Sequence, residues 1–300
     1  MKKWFFYLLL LFFFVSSAHL ICAQEKRIYN DGIIDYVPLT ASFVLSAEDF
    51  ESTLKNIQYS VDGSPVSIYK RPISFTTEGR HFIAYRAIDL TDNISNEIIY
   101  SVVVDGTPPE GLASIEGAVY MKEEYIYITK VSTVILWAED SLSGVDQIFV
   151  KLDDMHYITY TEPVVVTEEG FHTAETYAVD NVGNVTPVFK VQGYVDSTPP
   201  EVNIAPKEDF IVVGNKNYAN KNNEYTITAD DAFAGTQMIL VSLDGSEYVS
   251  YTSPFKIQIK GAHTLKAKAI DNLGNESFPV EVSFFVDVVP PKTKLGASVD

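Results

Sequence analysis

One interval organises this chain: the same residues return 91 positions apart. Asp62, Asp153 and Asp244 keep that spacing, as do Tyr69, Tyr160 and Tyr251, and Pro72, Pro163 and Pro254. Gly79, Gly170 and Gly261 follow in register, then His81, His172 and His263, Asp89, Asp180 and Asp271, and Asn93, Asn184 and Asn275. Each copy closes on Asp105, Asp196 or Asp287, shortly before a Pro-Pro pair that begins at Pro108, Pro199 or Pro290. An unbroken register of this kind means three copies of one structural unit. Solenoid repeats run about 20 to 50 residues, whereas a unit near 91 is large enough to bury a core of its own. The expected units are 24–106, 107–197 and 198–289, with 290–300 a linker or the start of a truncated fourth copy.

Inside each copy, short apolar runs alternate with turn residues, which is the signature of strands rather than helices. In the middle copy the expected strands are Tyr125–Ile128, Val131–Glu139, Val145–Leu152, Met155–Tyr160, Val164–Val166, Phe171–Val179 and Pro187–Val195. Asp62-Gly63 and Asp244-Gly245, with Asp153-Asp154 between them in the register, are hairpin signals. Aligning the copies picks out the buried face. In the second strand it carries Phe43/Val134/Tyr225, Leu45/Leu136/Ile227 and Ala47/Ala138/Ala229, and in the sixth Ile83/Ala174/Leu265 and Ala87/Ala178/Ala269. The opposite face carries Val44, Ser46, Trp137 and Thr228. Period-2 alternation with one polar face marks half-buried antiparallel sheet. Seven such strands in about 90 residues fit an immunoglobulin-like β-sandwich, so the expected class is all-β, with three tandem Ig-like domains behind a signal peptide.

The leader is read from Lys2 and Lys3, the apolar run Trp4–Val15, and the small residues that follow it. That run is too short for a membrane span and has secretory flanks. Cleavage after Ala18 or after Ala23 leaves a small residue at the cut, and 1–23 is the favoured leader. Cys22 is the only cysteine, so no internal disulfide staples the domains. Lipidation of Cys22 is disfavoured because Ile21 stands where a small residue belongs. No later stretch is long or apolar enough to span a bilayer as a helix, so the mature chain is not expected to cross the membrane. Net charge is −18 for the full chain, and removing Lys2 and Lys3 leaves 20 basic against 40 acidic residues, or −20. Nucleic acid and anionic lipid need a basic footprint and are thereby disfavoured as partners.

The run LDGSEYVSYTSPFKIQIKGAHTLKAKAIDNLGNES, closing on VDVVPP, carries an Asp-Gly hairpin, a Tyr-x-x-Pro step, a Gly-x-His turn and an Ala-x-Asp-x-x-x-Asn corner. In these it resembles bacterial Ig-like repeats of the OmpL-type outer-membrane-protein family, over roughly residues 27–291. The first copy departs with Asp92 where the third has Gly274. The resemblance implies modules of long extracytoplasmic proteins. Some members are described as β-barrels, but a membrane strand needs about 9–11 residues and a lipid-facing band. The strands here are mostly shorter, so sandwiches are expected.

Candidate chemistry is sparse. No catalytic or cofactor-binding residue is assigned, and no metal ligand: there is no nucleophile elbow, phosphate-cradling loop or His-Glu-x-x-His, and an active site would occur once rather than in three registered copies. The repeated histidines read as partly buried rings that satisfy turn backbone. Asp49, Asp89 and Asp105, with their counterparts, cap turns through their own backbone. Those near the Pro-Pro joints are expected to converge between neighbouring copies, which makes calcium the one cofactor considered. Asn93, Asn184 and Asn275 open sequons whose main role is turn geometry, and Trp137 offers a stacking surface. The expected function is a non-catalytic envelope or surface spacer, with adhesive binding to an extracellular protein or glycan, in the periplasm, at the outer-membrane surface or outside the cell. The alternative is an accessory region of a larger extracellular enzyme, such as one that degrades polysaccharide.

Overall fold

The computed structural model describes residues 25–49 and 51–295, and the expected leader lies outside them. Among the described residues the chain is all-β, and no helix is long and apolar enough to cross a membrane. The contacts divide into two compact units. One takes the residues up to Ile115 with Val134–Val164 and Thr173–Val191; the other takes Glu116–Thr133, Val165–His172 and Gln192 onward.

In the first unit, six strands form one sheet: β1 (Tyr29–Asn30), β2 (Asp35–Pro38), β3 (Leu54–Val61), β4 (Ser67–Ile68), β5 (Gly79–Asp89) and β6 (Ile98–Asp105). Their order is β1-β2-β6-β5-β3-β4. All neighbours are antiparallel except β2 and β6, which run parallel from Asp35↔Val102 to Pro38↔Asp105. That parallel pairing sets Asp105 at the end of the sheet. Val37, Ile73, Phe75, Ile83, Val102 and Val104 form the core against it, with Phe43 and Leu45 packed from the facing segment.

The second unit contains the third repeat, which is a complete sandwich. Its larger sheet runs Ile211–Val213, Lys216–Asn220, Val280–Asp287, Gly261–Asp271, Thr236–Leu243, Val249–Ser250 in spatial order. The smaller one runs Glu201–Pro206, Glu224–Asp230, Phe255–Lys256. Tyr225 and Ile227 of the smaller sheet and Leu265, Ala267, Ala269, Phe284 and Val286 of the larger are all buried between them. The alternation expected from the sequence places these residues: Leu265, Ala267 and Ala269 share one face because side chains alternate along a strand. On the opposite face Val44 and Trp137 are exposed.

Several strands differ from expectation. Met155–Tyr160 contracts to Ile158–Thr159, and Val164–Val166 to a single bridge between Val164 and Val134. Glu110–Glu116 and Val119–Lys122 are strands that the sequence did not announce. The Gly, Ala and Ser content of Glu110–Glu116 gives weak alternation, and pairing supplies what pattern does not. In the first repeat the expected second strand, near Phe43–Ala47, is reduced to the bridge Phe43↔Ile73.

The long hairpins of the first and third repeats are each fastened by an Asp–His clasp. Asp62 and Asp244 take positive φ at the turn, at 51° and 54°. The Asp62 carboxylate accepts the Phe82 N–H at 2.8 Å and meets His81 Nδ1 at 2.7 Å, while His81 Nε2 lies 2.9 Å from the Thr77 carbonyl. In the third repeat Asp244 accepts the Thr264 N–H at 2.8 Å and meets His263 Nδ1 at 2.7 Å, with Nε2 at 2.7 Å from the Ile259 carbonyl. Around His263 a carboxylate on one nitrogen and a carbonyl on the other call for two N–H donors, which is the imidazolium.

Burial lowers the pKa of His263, but the hydrogen bonds to Asp244 and the Ile259 carbonyl, with the Asp244 charge, outweigh it and the net shift is upward. A raised histidine pKa stabilises fully below its unfolded value of about 6.5, and that stability is lost as pH rises through the folded value. Thermal melting of His263→Gln against the unaltered chain checks this. The unaltered protein should lose more stability between pH 5.5 and pH 8.5 than the variant; equal losses would mean that the ring is neutral in the clasp.

Candidate functional site

The aspartate that closes a repeat is followed by an Asx turn into the Pro-Pro pair. Asp105 Oδ1 accepts the Thr107 N–H at 3.2 Å, and Asp196 Oδ1 accepts the Thr198 N–H at 3.1 Å. Their second oxygens face the next repeat. Asp105 Oδ2 accepts the Ser143 N–H at 3.0 Å, and Asp196 Oδ2 accepts the Ala234 N–H at 2.9 Å. Both acceptor loops are shaped by their own aspartates: Asp140 takes the Leu142 and Gly144 N–H groups, and Asp231 those of Phe233 and Gly235.

A third carboxylate completes each group. Asp180 Oδ1 accepts the N–H groups of Val182 and Asn184 at 3.0 and 2.7 Å, and its Oδ2 accepts Asn184 Nδ2 at 2.6 Å. Asp271 repeats this with Leu273 and Asn275. Asn184 Nδ2 also reaches the Asp105 carbonyl at 3.2 Å, and Asn275 Nδ2 reaches that of Asp196 at 3.2 Å. The result is one triad in each unit, Asp105–Asp140–Asp180 and Asp196–Asp231–Asp271, with one carboxylate oxygen from each residue within 4.8 Å of the others. Asp105, Asp180, Asp196 and Asp271 are fully buried.

Burial pushes the Asp180 carboxyl upward, reinforced by Asp105 and Asp140 and opposed by Asn184. Burial likewise pushes Asp196 upward, reinforced by Asp231 and Asp271 and opposed by the Ala234 and Thr198 N–H groups. The oxygens are of the type that a hard divalent ion takes, so the donor chemistry suits calcium, and the same geometry is equally served by a shared proton.

The two triads differ in one neighbour. Lys26 Nζ donates to Asn184 Oδ1 in the first. Burial lowers the pKa of that ammonium, while Asp180 and Asp105 raise it. Arg27 holds the same segment in place: Nε to the Asn181 carbonyl at 2.9 Å, Nη2 to Asp146 at 2.5 Å, and its N–H to the Val182 carbonyl at 3.3 Å. Gly183, at φ +87°, allows this approach, since a Cβ there would lie 2.7 Å from the Glu25 carbonyl oxygen.

The expected convergence of joint aspartates therefore occurs at Asp105 with Asp140 and Asp180, and at Asp196 with Asp231 and Asp271. Asp49, Asp89 and Asp287 join no such group among the described residues. Asn184 is buried, with its amide spent inside the network. Sequence reasoning missed the bridging amides of Asn184 and Asn275, which it read as turn residues only. It also missed Lys26, which no repeat signal marks because Gly117 and Glu208 occupy the matching positions. Trp137 is 40% exposed, on the outer face.

No known family matches the chain, and no curated protein does. Among solved structures the chain is similar to the fibronectin(III)-like modules of Clostridium thermocellum CbhA, with 9% identity over 56% of this chain and 94% of that one and a TM-score of 0.30. It is similar also to part of a 1.5-MDa bacterial ice-binding adhesin, with 9% identity, 80% and 87% coverage and a TM-score of 0.33. A third is SGBP-B of the Bacteroides ovatus mixed-linkage glucan utilization locus, with 12% identity, 91% and 71% coverage and a TM-score of 0.21.

Proposed function

We propose that this chain is a non-catalytic spacer of the cell envelope or cell surface, built from tandem Ig-like repeats of the OmpL type. On this reading the units are 24–106, 107–197 and 198–289, and the exposed faces present adhesive contacts to an extracellular protein or glycan. The observation that carries it is the recurrence of one network at successive joints. Each time the closing aspartate of a repeat is buried and bonded to the next repeat's loop, and the next repeat's asparagine bonds back to its carbonyl. Catalysis needs such a constellation once, whereas a spacer needs it at every joint.

Small-angle scattering of the full chain tests the reading. Strands of about 9 residues give repeats about 30 Å long, and three in line reach on the order of 100 Å. That length corresponds to a radius of gyration near 30 Å, against about 19 Å for a compact body of 300 residues. A value close to the compact figure would overturn the spacer.

A further inference from the structure

Each joint has a closing half, the end of one repeat, and a receiving half, the loops of the next. In the second unit Tyr127, Ala234 and Leu273 form one buried cluster, with Tyr194 and Phe233 packed on it. The rings of Tyr194 and Phe233 lie 5.6 Å apart. The joint of the first unit uses the matching positions, and its Val103, Asp105, Ser143, Val182 and Asn184 are buried.

Among the described residues, two further halves stand open. The third repeat carries a closing half: Tyr218 and Phe285 meet at 5.7 Å in the places of Tyr127 and Tyr194. Asp287 makes the same Asx turn, accepting the Val289 N–H at 2.9 Å, and it is exposed where Asp105 and Asp196 are fully buried. The first repeat carries a receiving half. Asp89 accepts the N–H groups of Thr91 and Asn93 and the Asn93 side chain, as Asp180 and Asp271 do with their own loops. Thr91 and Asn93 are exposed, where Val182 and Asn184 are buried. The loop backbone is kept as well. Thr53 and Asp92 hold φ at 75° and 64°, where the other repeats have Gly144, Gly235, Gly183 and Gly274. A side chain is strained there, a β-branched one most of all, so these loops keep the receiving shape against residue preference.

Charge changes at the two open halves run in opposite senses. The closing half gains Lys207 where Glu25 and Glu116 stand, Lys216 for Ile34 and Tyr125, and Lys260 for Glu78 and Glu169. The receiving half gains Glu51 for Leu142 and Phe233, and Asp92 for Gly183 and Gly274. All five new charges are exposed. Register pairs them. Gly183 abuts Glu25, so Asp92 would come to Lys207, and the open space around Gly274 shows that a joint of this kind has room for a side chain. Phe233 and Tyr125 both lie against Tyr194, so Glu51 would come to Lys216 beside Phe285. Asp92 now meets Lys55 at 2.5 Å in an exposed pair, which is worth little and yields easily. Glu208, at the Lys26 position, is held by Asn220 at 2.6 Å.

We propose that the closing half of the third repeat docks on the first-repeat loops of a second copy, so that chains associate head to tail. Asp287 takes the Ser52 N–H, now held by Asp49 at 2.9 Å, and Asn93 reaches the Asp287 carbonyl. Such a heterologous contact leaves one open half at each end, so assembly grows past a dimer. The spacer reading stands apart from it, because scattering of the dilute monomer tests that reading alone.

Sedimentation equilibrium of the chain exported from a bacterial host tests the association. The average mass should climb past two copies with concentration, and the association constant should fall about tenfold or more between about 50 mM and about 500 mM salt. A monomer at every concentration up to about 1 mM overturns the proposal, and so does growth that stops at two copies. Glu51→Lys with Asp92→Asn blocks the receiving half, and Lys207→Glu with Lys216→Glu blocks the closing half. Each double variant alone should be monomeric, with a melting temperature that shows it folded. Mixed, they retain one intact pair of halves and should form a one-to-one dimer and nothing larger. A mixture that stays monomeric, or a variant that associates as the unaltered chain does, refutes the head-to-tail contact.

Discussion

Gly193→Val should lower stability by about 3 kcal/mol or more, although both aligned positions in the other repeats carry large side chains. Those positions are Val102 and Phe284, and both are buried in their cores. Copying either residue into the middle repeat looks conservative from the alignment. The backbone says otherwise. Gly193 pairs in parallel with Ile126, and a Cβ built on it would sit well inside contact with the Ile126 carbonyl oxygen, with the Ile126 carbonyl carbon at 3.2 Å. Backbone on both sides leaves no flexible side chain to yield, so overpacking here exceeds its usual cost of about 1–3 kcal/mol. Relief would require separating the strands, which also disturbs the Tyr127–Tyr194 stack at 5.1 Å. Thermal melting of the full chain should show the transition of the second unit falling by about 6–12 °C. An unchanged melting profile would mean that the strand pair can open by a few tenths of an ångström at no cost.

Asp196→Ala should cost about 2–4 kcal/mol, because it strips the partners from the Ala234 and Thr198 N–H groups, and each buried N–H left unmade costs about 1–3 kcal/mol. Asp196→Asn should cost less than about 1 kcal/mol. It keeps one acceptor oxygen and removes a like charge from the triad, and removal of that repulsion offsets the lost bond. Burial and the neighbouring Asp231 and Asp271 raise the folded pKa of Asp196. The stability this group contributes is therefore full below the unfolded carboxyl value of about 3.9 and is lost as pH rises through the folded one. The asparagine variant should flatten that part of the pH profile. Denaturant melts of both variants at pH 4.5 and pH 7.5 decide the matter. If Asp196→Asn proves as costly as Asp196→Ala at pH 7.5, the negative charge is itself in use, as it would be by a bound cation.

The architecture was legible because its signals are local. A 91-residue period, turn residues at fixed offsets and alternation such as Leu265, Ala267, Ala269 follow from chain geometry alone. Glu110–Glu116 was not legible, since its pattern is weak and only pairing with Thr133–Glu139 makes it a strand. The joint aspartates were legible as a set but not as particular triads. Sequence places Asp105, Asp140 and Asp180 at turns; it does not say that Asn184 will tie Asp180 to the Asp105 carbonyl, or that Lys26 will lie beside them.

Asp89 and Asp180 show where the division falls. They occupy the same position of the repeat and use the same asparagine, Asn93 or Asn184, as a partner. In the first repeat burial pushes the Asp89 carboxyl up, but the hydrogen bonds led by Asn93 win and hold it down at about 2. In the second the asparagine bonds remain, but Val182 stands where Thr91 gives its hydroxyl bonds, and burial beside Asp105 and Asp140 turns the shift upward. Sequence determined the residue, its turn and its hydrogen bonds, which are contacts within five residues. The upward push on Asp180 was decided by the tertiary structure, because desolvation and the field of other carboxylates depend on which parts of the chain the fold brings within a few ångströms.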